Sequence, residues 1–240
     1  MLFAYLKRGL LAGGVAGIAY GLFMAAVANP LVGYLEHAQH GHAHSHGPAA
    51  ESVVAESTTA LVSIGGGLLW AVFLGGCFGI GLYLFEPALP GRSTGRRLSL
   101  AGSGFLTVSA VPWLVLPPSA PGAEQLLAIN TQFLLYGGLV VLGAAVAASG
   151  VAAYNRLVGR HRWLAVAGGI GPILAAAVLL PAVTPTIVRH PELSTELLTA
   201  YQAMVVLSQG SIWLCIATTF GWLQRRTRHE STATDPQPAT

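Results

Sequence analysis

Residues 9–35 read GLLAGGVAGIAYGLFMAAVANPLVGYL, without one Asp, Glu, Lys, Arg or His. A helix needs about 20 mostly apolar residues to cross the hydrocarbon core of a bilayer, so this stretch is long enough to span. In lipid the backbone must satisfy its own hydrogen bonds, and a continuous apolar run does that as a helix. Five more uncharged stretches follow, at 57–85, 98–123, 125–155, 163–188 and 197–224. They are continuous rather than alternating, which excludes a barrel.

The composition agrees. The chain has 240 residues, 53% of them hydrophobic and 9% charged, against about 25% charge in a soluble domain. A pI near 9.1 does not point to nucleic acid, because the basic residues form no dense cluster. Cys77 and Cys215 sit in apolar runs and imply no disulfide framework. The expected fold is an all-α integral membrane protein with six transmembrane helices over about 9–35, 57–85, 98–118, 125–152, 163–188 and 197–224. Residues 1–225 then form one polytopic domain, 36–56 an external loop and 226–240 a disordered tail. Pro112 interrupts the third helix and Pro117-Pro118 closes it, while Pro172, Pro181 and Pro185 are expected to break up the fifth.

The few charges orient the helices. Lys7 and Arg8, then Arg92, Arg96 and Arg97, then Arg156, Arg160 and Arg162, then Arg225, Arg226 and Arg228 make up eleven of the twelve basic residues. They fall in alternate connections and the two ends, leaving Arg189 alone on the other side. Lys and Arg collect on the cytoplasmic side, so both termini are expected on the cytoplasmic side of the cell membrane. The segments 36–56, 117–124 and 189–196 are expected outside. Lys7-Arg8 and the apolar run ending Ala26-Val27-Ala28 also have the form of a signal peptide, but the run is longer than the usual apolar region and Asn29-Pro30 follows it.

Gly9, Gly13, Gly17 and Gly21 share one face of the first helix at four-residue spacing, and Gly75 and Gly79 repeat the pattern in the second. Small residues so spaced let two helix backbones approach closely, so the first helix is expected to pack centrally.

One constellation carries chemistry. His37, His40, His42, His44 and His46 fall within ten residues, just after Glu36. Imidazole is the commonest metal-binding side chain, and its pKa near 6.5 leaves it mostly neutral at pH 7. Gly41, Gly47 and Pro48 disfavour helix, which suits a loop folding around an ion, with Glu36 adding an oxygen. A merely solvated loop would need no such repetition of one residue type. The tract identifies metal binding better than which metal, since cobalt, nickel and zinc all accept imidazole.

No Asp, Glu, Lys or Arg lies inside an expected span, so no proton relay is evident. Neutral polar groups remain. Asn29, Asn130, Gln132, Gln202 and Met204 fall in the outer parts of their helices, with Glu124 and His190 at the rim. They form a candidate outer vestibule beneath the histidine loop; the competing reading is interhelical hydrogen bonding at about 0.6 kcal/mol per pair. Met24, Cys77 and Cys215 read as core packing rather than soft ligands. The single lysine, Lys7, is in no phosphate-binding loop, and no nucleophile–base pair or H-E-x-x-H is present, so no enzyme is expected. A divalent cation falling through 100 mV gains roughly 4.6 kcal/mol, at about 2.3 per charge, which favours uptake without ATP.

The sequence resembles the predicted cobalt transporter subunit family CbtA. The likeness lies in RGLLAGGVAG at residues 8–17, Asn29-Pro30-Leu31, the His42–Gly47 repeat, Val111-Pro112-Trp113, and the turn running from Leu116-Pro117-Pro118 to Pro121-Gly122. It implies cobalt uptake linked to cobalamin synthesis, with a small single-span partner subunit, CbtB. The family's Pro-His pair late in the fifth helix stands here as Pro181-Ala182, so a ligand role there is missing or passes to His190. Two functions compete: divalent metal uptake with the loop as capture device, and a metal-buffering or sensing membrane protein that signals to a partner.

Overall fold

A computed structural model describes residues 1–39, 49–120, 122–185, 187–189 and 193–233, with side chains described outside 36–39, 49–57, 59 and 228–233. The His40, His42, His44, His46 and His190 positions lie outside the described residues, and so do the side chains of Glu36 and His37.

The described chain is helical. Helix α1 (Leu2–Phe23) passes through a π turn (Met24–Ala28) into α2 (Asn29–Gln39). Helix α3 spans Ala49–Phe85. Helix α4 (Ser93–Phe105), a second π turn (Leu106–Ala110) and the short α5 (Val111–Trp113) follow one another without a break. Then come α6 (Ile129–Leu157), α7 (Arg162–Val183) and α8 (Thr195–Ala233). Five of these are long and apolar enough to cross a membrane, over Leu2–Leu35, Ala60–Phe85, Ile129–Leu157, Arg162–Val183 and Thr195–Thr227. The expected third span is not among the five; its path runs as pieces of 13, 5 and 3 residues, and the first of them carries Arg96 and Arg97 among serines and glycines.

The two π turns have one cause. Each ends at the residue preceding a proline, Asn29 before Pro30 and Val111 before Pro112. Proline has no N–H and its ring clashes with the carbonyl four residues back, so the backbone widens into i→i+5 bonding just ahead of it. The N–H of Asn29 accordingly reaches the Met24 carbonyl, and that of Val111 the Leu106 carbonyl. The carbonyl that Pro112 leaves without its helical partner, Val108 O, accepts the Tyr136 hydroxyl of α6 at 2.9 Å.

The fifth span differs from expectation. Pro172 and Pro181 lie inside α7, which runs unbroken to Val183 before the chain leaves the helix at Thr184 and Pro185. The Thr184 hydroxyl bonds the Leu180 carbonyl at 2.6 Å, capping that end. Four positions back stand Gly168 for Pro172 and Ala177 for Pro181, small residues that ease the clash of the proline ring with the preceding turn.

The centre is the antiparallel contact of α1 with α3. A Cβ built on Gly75 would lie 2.7 Å from Gly13 Cα, one on Gly13 2.8 Å from Val72 Cα, and one on Gly17 2.9 Å from Leu68 Cα. The two glycine stripes face each other, as the four-residue spacing anticipates. Helix α8 closes the core against both, with Ile212, Trp213, Ile216 and Phe220 packed on Ala12, Ala16, Leu74 and Phe78. A two-residue antiparallel pair, β1 (Glu124–Gln125) with β2 (Val188–Arg189), joins the connections before α6 and after α7.

Gly75→Leu should therefore drive α1 from α3 and cost more than about 3 kcal/mol, as overpacking against immovable backbone does. Gly14→Leu, which meets open space, should leave thermal unfolding in detergent within about 0.5 kcal/mol of the parent.

Candidate functional site

The two ends of the bundle are chemically distinct. At one end the Arg8 guanidinium donates to Thr227 Oγ1 at 2.9 Å, and Arg97 donates to Gln224 Oε1 at 3.0 Å and to Thr94 Oγ1 at 3.1 Å. Tyr5 donates to Glu86 Oε2 at 2.8 Å, and Arg96 pairs with Glu86 at 3.5 Å. Asn155 Nδ2, beside Arg156, donates to the Ala88 carbonyl at 2.8 Å. Arg97 is 5% exposed, and a Cβ on Gly221 would lie 2.8 Å from its Nε. A guanidinium is always charged and holds fixed donors, so Arg97 pins α4 to α8 there.

The opposite end carries the residues of the expected vestibule. Gln132 donates to Gln125 Oε1 at 3.2 Å and to the Leu127 carbonyl at 2.9 Å, beside the Glu124–Arg189 backbone pairing. Gln202 donates to the Pro118 carbonyl at 3.4 Å, tying α8 to the segment after α5. Asn130 and Glu124 are exposed. Asn29 Nδ2 is buried with no hydrogen-bond partner among the described residues. Gln132 and Gln202 thus make separate contacts with connecting segments, Gln132 with the one before its own helix and Gln202 with the one after α5, and Asn29 has an amide still to be satisfied. Among the described residues no group of three or more His, Cys, Asp or Glu gathers as for a metal ion.

Between these ends a cleft of about 500 Å³ separates α1 from α8. Its α1 wall is Ala16, Ala19, Tyr20 and Phe23; its α8 wall includes Met204, Ser208, Ser211 and Cys215. Tyr20 stands on the α1 wall facing Ser208, and Trp70 Nε1 lies 3.5 Å from Gln209 Oε1. The sequence placed Met204 in the outer part of its helix and Cys215 in the core, and did not single out Tyr20, Ser208 or Ser211. The signal was present: positions 204, 208, 211 and 215 repeat at the helical period.

Gln132→Ala should lower stability by about 0.6 kcal/mol for each bond lost. Arg97→Met should cost more, about 1.5–3 kcal/mol, the range for hydrogen bonds to a charged group. Thermal unfolding in detergent measures both.

A family model described as "Probable cobalt transporter subunit (CbtA)" matches residues 3–225. No curated protein matches the chain, and no solved structure does.

Proposed function

This chain belongs to the CbtA family of probable cobalt transporter subunits, and from that premise we propose that it is the membrane subunit of a divalent metal uptake system, with Co²⁺ as cargo and Ni²⁺ accepted by the same ligands. The carrying observation is the family match, which extends over residues 3–225 and so includes the histidine tract. In this reading His37, His40, His42, His44 and His46, with Glu36, capture the ion outside. Asn29, Glu124, Asn130, Gln132, His190 and Gln202 line the entrance beneath, and zinc competes at the loop.

The reading has six spans in the plasma membrane, both termini cytoplasmic and one polytopic domain. The polar contacts support it. Arg8, Arg97 and Asn155 meet partners at a common end, which matches the alternation of basic residues. Helices α4 and α5, with the π turn between them, supply the remaining span. Arg97 bonds Gln224 and Pro118 bonds Gln202, and the 22 steps along α8 from one glutamine to the other rise about 33 Å at 1.5 Å per residue. That length is close to a hydrocarbon core of about 30 Å. The β1–β2 pair ties two outer connections together.

A subunit acts with a partner. A small single-span subunit, CbtB, is the one this reading assigns, and supply of cobalt for cobalamin synthesis is the role. The membrane potential supplies the drive, roughly 4.6 kcal/mol per divalent ion at 100 mV.

Replacing His42, His44 and His46 together with Ala should raise the Co²⁺ concentration for half-maximal uptake about tenfold or more while leaving the saturated rate near the parent's. Radiometal uptake into reconstituted vesicles, with and without the partner, measures it. An unchanged half-saturation would remove the capture role, and absent uptake by the parent would leave the buffering or sensing reading. For topology, Ser45→Cys should react with an impermeant maleimide from outside and Thr94→Cys only from inside, in a background lacking Cys77 and Cys215. The reverse pattern would overturn the orientation.

A further inference from the structure

We infer that the seam between α4 and α6 binds an anionic phospholipid, with one acyl chain lying in the seam and the phosphate held at its mouth by Arg96 and Arg156. The inference goes beyond the transport reading and needs only that the chain spans a bilayer.

Helix α6 closes on the π turn that follows α4. A Cβ on Gly143 would lie 2.9 Å from Thr107 Cα, and the Tyr136 hydroxyl bonds the Val108 carbonyl. From that contact toward the arginine end, α4 and α6 part and leave a cavity of about 600 Å³. Leu100, Gly104 and Thr107 line it on one side, and Ala144, Ala148 and Ala152 on the other. A second cavity, of about 440 Å³, lies across the seam and shares Ser103, Ala147 and Val151 with the first, so the opening runs between two helices rather than around one small side chain. Cys77, Ala144 and Ala148 line the first cavity and are exposed, which in a bilayer means open to lipid.

Length decides the occupant. The lining of α6 runs from Ala144 to Asn155, about 16.5 Å at 1.5 Å per residue. That is close to half of the roughly 30 Å hydrocarbon core, the depth of one leaflet. A spanning helix of a partner would need the full depth, and the contact of Gly143 with Thr107 ends the groove midway. An acyl chain of one leaflet needs no more than the groove offers. Left empty, the apolar walls would forfeit dispersion contacts that such a chain restores.

Charge decides the headgroup. On both walls the lining row continues outward by one turn to an arginine. Gly104 and Leu100 lead to Arg96 on α4, and Ala148 and Ala152 lead to Arg156 on α6, each step four residues. Residues four apart share a helix face. At this end Asn155 Nδ2 donates to the Ala88 carbonyl at 2.8 Å, which brings the end of α6 to the connection before α4. Arg96 pairs with Glu86 at 3.5 Å, and its Nε is buried with no hydrogen-bond partner among the described residues. Arg156 is exposed. Two guanidiniums against one carboxylate leave the mouth positive, and their N–H forks match phosphate oxygens. Basic mouths between spanning helices at the membrane surface take anionic headgroups in this way.

The test uses the full chain with Cys215→Ala in detergent micelles, titrated with dioleoyl phosphatidylglycerol or dioleoyl phosphatidylcholine. Cys77 lines the same cavity, so its rate of maleimide labelling reports occupancy. Phosphatidylglycerol should protect Cys77 at about one-tenth the amount that phosphatidylcholine requires. Arg96→Gln and Arg156→Gln should each raise the half-protecting amount of phosphatidylglycerol about fivefold. Ala148→Phe, which fills the groove from an exposed position, should strip the phosphatidylglycerol that native mass spectrometry finds on the parent. Equal protection by the two lipids overturns the site. Protection by sodium phosphate alone also overturns it, since the ligand would then be a free anion. So does protection that neither lipid gives but a co-expressed partner subunit does, which would seat a helix there. If Cys215→Ala fails to fold, native mass spectrometry of the natural chain decides, by preferential retention of phosphatidylglycerol and its loss in Arg156→Gln.

Discussion

The backbone-to-backbone contact of α1 with α3 is the constraint on which the remaining packing depends. Lipid tails are as apolar as leucine, so helices in a bilayer gain nothing by merely hiding apolar side chains from it. They gain by close packing and by weak Cα–H···O contacts, and both require the backbones to meet. Gly9, Gly13 and Gly17 on one side, with Gly75 and Gly79 on the other, remove the side chains that would hold them apart. Once the two helices are joined, Ala12, Ala16, Leu74 and Phe78 make the surface on which α8 seats Ile212, Ile216 and Phe220. The cleft opens where the glycine and alanine face of α1 turns from α3 toward α8.

Proline shapes the second level. Pro30 and Pro112 each follow a π turn, and the carbonyl freed by Pro112 is satisfied by Tyr136 from the neighbouring helix. A residue on α6 therefore stabilises a distortion in the α4–α5 path. Pro172 and Pro181 lie inside an uninterrupted helix packed mainly on α6. The same residue type stands after a π turn in one place and inside an uninterrupted helix in another.

Charge makes the third level. Guanidiniums gather at one end, where Arg8 and Arg97 bind neutral oxygens of α8 and Arg96 pairs with Glu86. The cleft between the ends holds hydroxyls, a thioether and a thiol.

The sequence by itself determined the all-helical membrane class and the places of five apolar helices, since uncharged runs of spanning length admit one structure in lipid, and periodic glycine marks its own contact face. It also held the histidine tract and the alternation of basic residues, both properties of composition along a line. It did not reveal that the third segment would divide into α4, a π turn and α5, or that α7 would run on through two prolines, because these depend on what each freed carbonyl meets. Nor did it join Met204, Ser208, Ser211 and Cys215 into one wall. Their period was visible along α8, but period alone cannot distinguish a face sealed in the core from one left open. Only the tertiary structure decided that, by setting Ala16 and Ala19 opposite and leaving the space between unfilled.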